Sequence, residues 1–147
     1  MNVNSHRIAA LLLETAMEGY LAVVLTPESR TELLQQVPAK HANVFAHHLT
    51  IAFKPDESVY SKYANLVGET TKMTITGEAS DEQGQAVLVE GPSENPNPHI
   101  TISCAPGVKP AYSNTLLQQQ RHGQVHFLRL EPFTVYGQVQ FIPFKAP

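Results

Sequence analysis

Two short segments, HLTIAF at residues 48–53 and HITISC at residues 99–104, decide the fold prediction because they share one pattern. Each begins with a histidine, followed by an apolar residue, a threonine and a second apolar residue. They lie about 50 residues apart. Side chains at positions i and i+2 of an extended strand project from the same face. Each segment is therefore predicted to be a strand with its His and Thr on one face and its aliphatic side chains on the other.

The two pairs, His48 with Thr50 and His99 with Thr101, form the candidate site. Two such strands facing one pocket would surround a phosphate with two imidazoles and two hydroxyls. A histidine titrates near pH 6.5, so a pair can supply one general base and one general acid near neutrality. Fixed hydroxyl donors stabilise the charge that gathers on the non-bridging phosphate oxygens. The pattern favours phosphodiester cleavage and leaves open which histidine is the acid.

A structural interpretation of the same residues stays open. One His-x-Thr is a common strand sequence, because threonine favours strands, and either histidine alone fits a hydrogen-bonded structural role. The aliphatic Leu49 and Ile51 argue for the core, which leaves His48 facing a groove. In a regular strand His47 points to the opposite face, but a bulge would exchange the two histidines. His47 is therefore the rival for the first catalytic position.

Three further residues are candidate substrate contacts. Tyr20 begins a predicted strand, and Tyr112 follows the second motif; either ring fits base stacking or a phosphate contact, and equally a half-buried packing role. Lys109 fits attraction of the substrate phosphate or a solvated turn. Cys104 alternates onto the face of the aliphatic residues, so a buried, unreactive thiol is predicted. The sequence has no spacing typical of a metal site, so no metal or cofactor is predicted.

The other elements follow from periodicity and turn residues. Thr26 is a predicted helix N-cap followed by Pro27, and Pro38 closes that helix. The sum is about seven strands and three or four helices, which favours an α+β fold with mostly antiparallel pairing. Predicted strands cover residues 20–25, 47–53, 72–79, 85–90, 99–104, 124–130 and 133–142, and predicted helices cover Ser5 to Glu18, 26–38, 59–67 and 112–120.

Composition sets the class of protein. A chain of 147 residues with 42% hydrophobic and 16% charged residues predicts one globular domain over 1–147. A net charge of −3 provides no broad basic surface for duplex DNA. The single cysteine excludes an internal disulfide. The N-terminal sequence lacks the pattern of a secretory signal or a membrane span, so a soluble cytoplasmic protein is expected. The oligomeric state is not assigned.

The paired motif resembles the signature of the 2H phosphoesterase superfamily, His-x-Thr/Ser-x present twice. The stretch 99–110, continuing to Ser113 and Asn114, is also similar to the second-motif region of the cyclic phosphodiesterase domain of fungal and plant tRNA ligases. The resemblance implies a bilobal α+β fold with two mostly antiparallel sheets around a central groove and with outer helices. It implies that His48 and His99 are catalytic and that Thr50 and Thr101 bind the substrate phosphate.

The function implied by the resemblance is a metal-independent phosphoric diester hydrolase, without a cofactor. It would open a 2′,3′-cyclic phosphate on an RNA 3′ end or a nucleotide, to a 2′-phosphate. Two alternatives stay open. One is a two-histidine enzyme acting on another phosphodiester, of the cyclic ADP-ribose type or an oligoadenylate. The other is a catalytically silent protein that binds nucleotides or RNA ends.

Overall fold

The computed structural model describes residues 17–120 and 125–144. Within them, strands alternate with short helices along the chain. The strands are β1 (Gly19–Leu25), β2 (Asn43–Val44), β3 (His48–Phe53), β4 (Thr70–Ser80), β5 (Gly84–Glu90), β6 (His99–Cys104) and β7 (His126–Pro143). The helices are α1 (Pro27–Gln36), α2 (Glu57–Tyr63), a 3₁₀ turn (Ala64–Leu66) and α3 (Tyr112–Gln120).

Six of the strands form a closed antiparallel β-barrel. The order β6-β3-β1-β7-β4-β5 returns to β6, which pairs with β3 on one edge and with β5 on the other, while the short β2 extends the pairing along β6. The predicted bilobal α+β fold, with two sheets around a groove, is therefore wrong. The physical reason is that β6 pairs with both β3 and β5, so the strands join into one closed sheet without the free edges that two separate sheets require.

The long strand β7 makes this closure possible. Two strands, 124–130 and 133–142, were expected around Pro132, but one strand runs from His126 to Pro143. Its pairing with β4 shifts register, from Ile75 opposite Phe133 to Gly77 opposite Arg129. Pro132 lies inside this shift, where its missing N–H is tolerated. The strand therefore bends instead of ending, and it pairs with both β4 and β1.

The core fills the barrel with alternate side chains of its strands. Leu and Ile side chains of this kind each stabilise the fold by roughly 1.5–3 kcal/mol when fully buried. Helix α1 covers one side and inserts Leu33, which is buried. The Thr26 hydroxyl accepts a hydrogen bond from the Ser29 amide at 3.1 Å, which confirms the predicted N-cap. The buried core residues of the strands include Leu21, Val23, Leu49, Ile51, Met73, Ile75, Ile100, Ile102, Val135 and Val139.

The predicted N-terminal helix, Ser5 to Glu18, lies outside the described residues except for its last two positions. None of the helices in the described part of the chain has the length and apolar character needed to cross a lipid bilayer. Cys104 is buried, as predicted, and burial raises the pKa of its thiol.

Candidate active site

The pairing of β3 with β6 brings the two motifs together. Leu49 lies opposite Ile100, and both are buried. The histidine and threonine side chains of both motifs line one groove of about 940 Å³. The two motifs therefore meet in one groove.

His99 is held by the backbone. Its Nδ1 lies 2.8 Å from the carbonyl oxygen of Asn97. Because a carbonyl only accepts, Nδ1 carries a proton and Nε2 is the nitrogen left for a substrate. Burial lowers the pKa of His99, and the bond to Asn97 opposes that shift because it stabilises the imidazolium.

His48 is held by a second imidazole. Its Nδ1 lies 2.8 Å from Nδ1 of His47, so a single proton lies between the two rings. His47 lines the groove together with His48, whereas a regular strand would turn the two side chains to opposite faces. A bulge is the reason: the Ala46 amide bonds the Thr101 carbonyl at 2.9 Å, whereas regular pairing resumes only at Leu49.

The electrostatic surroundings of His48 disfavour its charged form. Burial, the charge of His47 and the charge of His99 together lower the pKa of His48 to about 4. The imidazole of His48 is therefore neutral near pH 7, when no substrate is bound. Two histidines with similar sequence surroundings thus differ in how they hold a proton.

The two threonines differ as well. The Thr101 hydroxyl lies 2.7 Å from Ser113 Oγ, which is buried, and donates to the Pro110 carbonyl at 3.3 Å. The Thr50 hydroxyl has no hydrogen-bond partner among the described residues, although its backbone carbonyl accepts from Ser93 at 2.9 Å. Thr50 is therefore ready to donate to a ligand, and Thr101 must first give up its long bond to Pro110.

Several groove residues escaped the sequence analysis. Asn95, from the loop before β6, donates to Asn114 of α3 at 3.0 Å, and both side chains line the groove. The aromatic rings of Phe45, Phe53 and Phe144 line it too. Among these groove residues, only Asn114 could have been identified from the sequence, because it ends the stretch that resembles the ligase domain. The positions of the other residues in the groove depend on the paths of loops and on bulges, which the sequence does not reveal.

The loop before β6 is anchored on both sides. The carboxylate of Glu94 accepts from the Tyr63 hydroxyl and from Lys62 Nζ, the latter at 2.9 Å. The Glu94 amide donates to the Ile51 carbonyl at 2.7 Å. These contacts fix the path by which the chain delivers His99 to the groove.

Of the three further candidates for substrate contacts, one lines the groove and two do not. Tyr20 lines the groove, with its ring centroid 5.2 Å from that of His48. Lys109 is exposed and does not line the groove. Tyr112 is turned away from it: its hydroxyl donates to Asp81, and its ring lies against Gly84. In residues 17–120 and 125–144, no group of three or more His, Cys, Asp or Glu side chains is arranged to hold a metal ion.

A groove lined by two His-x-Thr motifs on paired strands is consistent with the 2H phosphoesterase-like class. More particularly, the chain belongs to the family of fungal tRNA ligase phosphodiesterase domains, whose family model matches residues 56–141, more than half of the chain. The match includes the second motif; the first motif, at 48–50, precedes it. Membership supports a role in cyclic phosphodiester or RNA-end chemistry.

Among solved structures, the chain is similar to one described as the crystal structure of a fungal RNA kinase. The TM-score is 0.64 at 15% sequence identity, over 87% of this chain and 46% of that chain. The similarity shows the fold, and this chain spans less than half of that protein. No curated protein sequence matches.

Proposed function

We propose that this chain is a phosphodiesterase that opens 2′,3′-cyclic phosphate ends of RNA or nucleotides. The observation that carries the proposal is the common groove, in which His48, Thr50, His99 and Thr101 meet from neighbouring strands. The match of the sequence to the family of tRNA ligase phosphodiesterase domains also supports this proposal. The two imidazoles supply both proton transfers of the reaction, so the proposed mechanism needs no metal ion or cofactor.

The proposed reaction is a hydrolysis with both protons assigned. One imidazole removes a proton from water as its oxygen forms a bond to phosphorus. The bond from phosphorus to the 3′-oxygen breaks, and the other imidazole protonates that oxygen, which leaves a 2′-phosphate and a 3′-hydroxyl. Thr50 and Thr101 donate to the non-bridging oxygens as negative charge gathers there.

We assign His48 as the base and His99 as the acid. A base must be neutral before the reaction, and burial beside two other histidines holds the pKa of His48 at about 4. An acid must hold its proton; burial lowers the pKa of His99 below its ordinary value, and the Asn97 carbonyl, bonded to Nδ1, opposes that shift because it stabilises the imidazolium. In this assignment Nδ1 of His48 donates to His47, which directs the basic Nε2 to the attacking water.

The test uses an RNA oligonucleotide that ends in a 2′,3′-cyclic phosphate, incubated with EDTA and resolved by HPLC. Wild-type protein should open the ring to a 2′-phosphate, and His48→Ala or His99→Ala should each reduce turnover by at least ~10²-fold. His126→Ala is the matched control, because His126 is exposed on β7 and lies outside the groove lining. It should retain wild-type turnover.

Each other outcome has a defined meaning. Near-normal activity of His48→Ala or of His99→Ala would rule out the two-histidine mechanism. A 3′-phosphate product would show that the 2′-oxygen leaves, and not the 3′-oxygen. If wild-type protein binds the cyclic end without opening it, the chain is a binding protein, and the catalytic proposal fails.

A further inference from the structure

We infer that Asn95 is a positioning residue for His99. Its side chain fixes the backbone of Asn97, and the Asn97 carbonyl in turn holds the imidazole of His99 through Nδ1. The inference rests on the proposed function and deepens it, because His99 is the general acid of that proposal. Asn95 acts on the reaction through the ring of His99, by setting which ring nitrogen carries the proton.

Two hydrogen bonds in series connect Asn95 to His99. Oδ1 of Asn95 accepts from the Asn97 amide at 2.8 Å, and the Asn97 carbonyl oxygen lies 2.8 Å from Nδ1 of His99. Asn97 lies between Pro96 and Pro98, and a residue that precedes a proline is restricted to extended conformations. Asn97 therefore has little freedom of its own, and the bond at its amide fixes the direction of its carbonyl.

The orientation of the Asn95 amide follows from its two partners. A backbone N–H only donates, so Oδ1 of Asn95 must face the Asn97 amide. Nδ2 then faces Asn114 of α3, whose Oδ1 accepts from it at 3.0 Å. One side chain thus joins the loop before β6 to helix α3 and holds the peptide that contacts His99.

The same loop is tied to the first motif. The backbone amide of Asn95 donates to Ser93 Oγ at 3.1 Å, and Ser93 Oγ donates to the Thr50 carbonyl at 2.9 Å. A continuous series of hydrogen bonds therefore runs from the backbone of Thr50 on β3 to the imidazole of His99 on β6, with Asn95 in its middle. Truncation of Asn95 would break this series next to the peptide that holds the imidazole.

Loss of this contact should affect the proton on His99 in a definite direction. The Asn97 carbonyl opposes the lowering of the His99 pKa by burial, so a displaced carbonyl should let that pKa fall further. Among the described residues, the other titratable side chains that line the groove or lie in this loop are Tyr20, His47, His48 and Glu94. Substitution of Asn95 leaves all four in place.

The experiment records the ring nitrogens of His99 by long-range ¹H–¹⁵N NMR during a pH titration of the full chain, with His99→Ala to assign the signals. Neutral His99 of the wild type should carry its proton on Nδ1. Asn95→Ala should populate the form with the proton on Nε2 and lower the His99 pKa. It should also lower kcat on the cyclic RNA end about tenfold and change KM by less than about twofold.

Two further variants separate positioning from a general loss of structure. Asn95→Asp keeps the Oδ1 acceptor for the Asn97 amide, so the proton should stay on Nδ1 of His99. The added negative charge should raise the His99 pKa, opposite to the effect of Asn95→Ala. Asn65→Ala is the matched control, because Asn65 is exposed in the 3₁₀ turn and lies outside the groove lining. Its His99 signals should match those of the wild type.

His99 signals in Asn95→Ala that match the wild type would overturn the inference. If Asn95→Ala does not fold, Asn95→Asp decides: loss of the Nδ1 proton in that folded variant overturns the inference, and its retention with a raised pKa supports it. If wild-type protein does not open the cyclic phosphate but Asn95→Ala moves the proton of His99, the role of Asn95 stands and the phosphodiesterase proposal fails.

Discussion

The two motifs are nearly identical in sequence, yet the barrel holds them in different ways. In the second motif a backbone carbonyl fixes His99, and the buried Ser113 holds Thr101. In the first motif another imidazole contacts His48, and the Thr50 hydroxyl has no partner among the described residues. The comparison teaches that a repeated motif supplies the chemical groups, while their neighbours decide which group holds a proton and which hydroxyl is ready for substrate.

The largest expected effect tests the division of labour between the histidines. A substrate with a good leaving group, such as bis(p-nitrophenyl) phosphate, needs no general acid. His48→Ala should lose about 10²–10⁴-fold on this ester and on the cyclic RNA end, whereas His99→Ala should lose that much only on the RNA end. Rates on both substrates check this. The reverse pattern would exchange the assigned acid and base.

The threonines should differ in stability more than in rate. Thr50→Val and Thr101→Val each remove a hydroxyl from the phosphate site and should each lower kcat by about 10²-fold. Only Thr101→Val should also lower the free energy of unfolding, by about 1 kcal/mol, because it leaves the buried Ser113 without this partner. Urea denaturation measures this difference. Equal unfolding free energies for the two variants would contradict the contrast between the motifs.

The pH profile of kcat/KM should show the smallest effect. A base loses activity when it is protonated, so activity should fall as the pH drops through the His48 pKa of about 4. An acid loses activity when it is deprotonated, so activity should also fall as the pH rises through the His99 pKa, which lies below the ordinary value of 6.5. The profile should therefore have its maximum on the acid side of pH 6.5.

His47→Ala sharpens that measurement. It removes a like charge next to His48, so the pKa of His48 should rise and the acid limb of the profile should move to higher pH. The maximum rate should change only a few-fold. An unmoved limb would mean that His47 does not influence the proton on His48. His126→Ala serves again as the control.

The local elements of this chain could be predicted from sequence because their signals are local. Alternation identified β3 and β6, and Thr26 with Pro27 identified the start of α1. The closed barrel could not be predicted, because it depends on β6 pairing with strands on both sides and on β7 continuing past Pro132. Such pairing between distant segments leaves no local pattern.

The groove was predicted in part, for a similar reason. The four motif residues alternate regularly and meet as expected. The position of His47 was left open, because a bulge changes which side chains share a face, and the alternation gave no sign that Phe53 lines the groove. Lys109 and Tyr112 follow the second motif in sequence, but the turn before α3 carries them away from the groove. The single domain, the absence of a cofactor and the cytoplasmic location stay predictions.

Strand β6, with a paired strand along each edge, has a consequence for the reaction. Moving His99 away from His48 would require β6 to break its hydrogen bonds to β3 and to β5 at once. The separation of the two imidazoles is thus set when the chain folds, before any substrate arrives. If the proposed function holds, an incoming cyclic phosphate has only to enter a preorganised pair of imidazoles, and its binding energy remains for orienting the ribose.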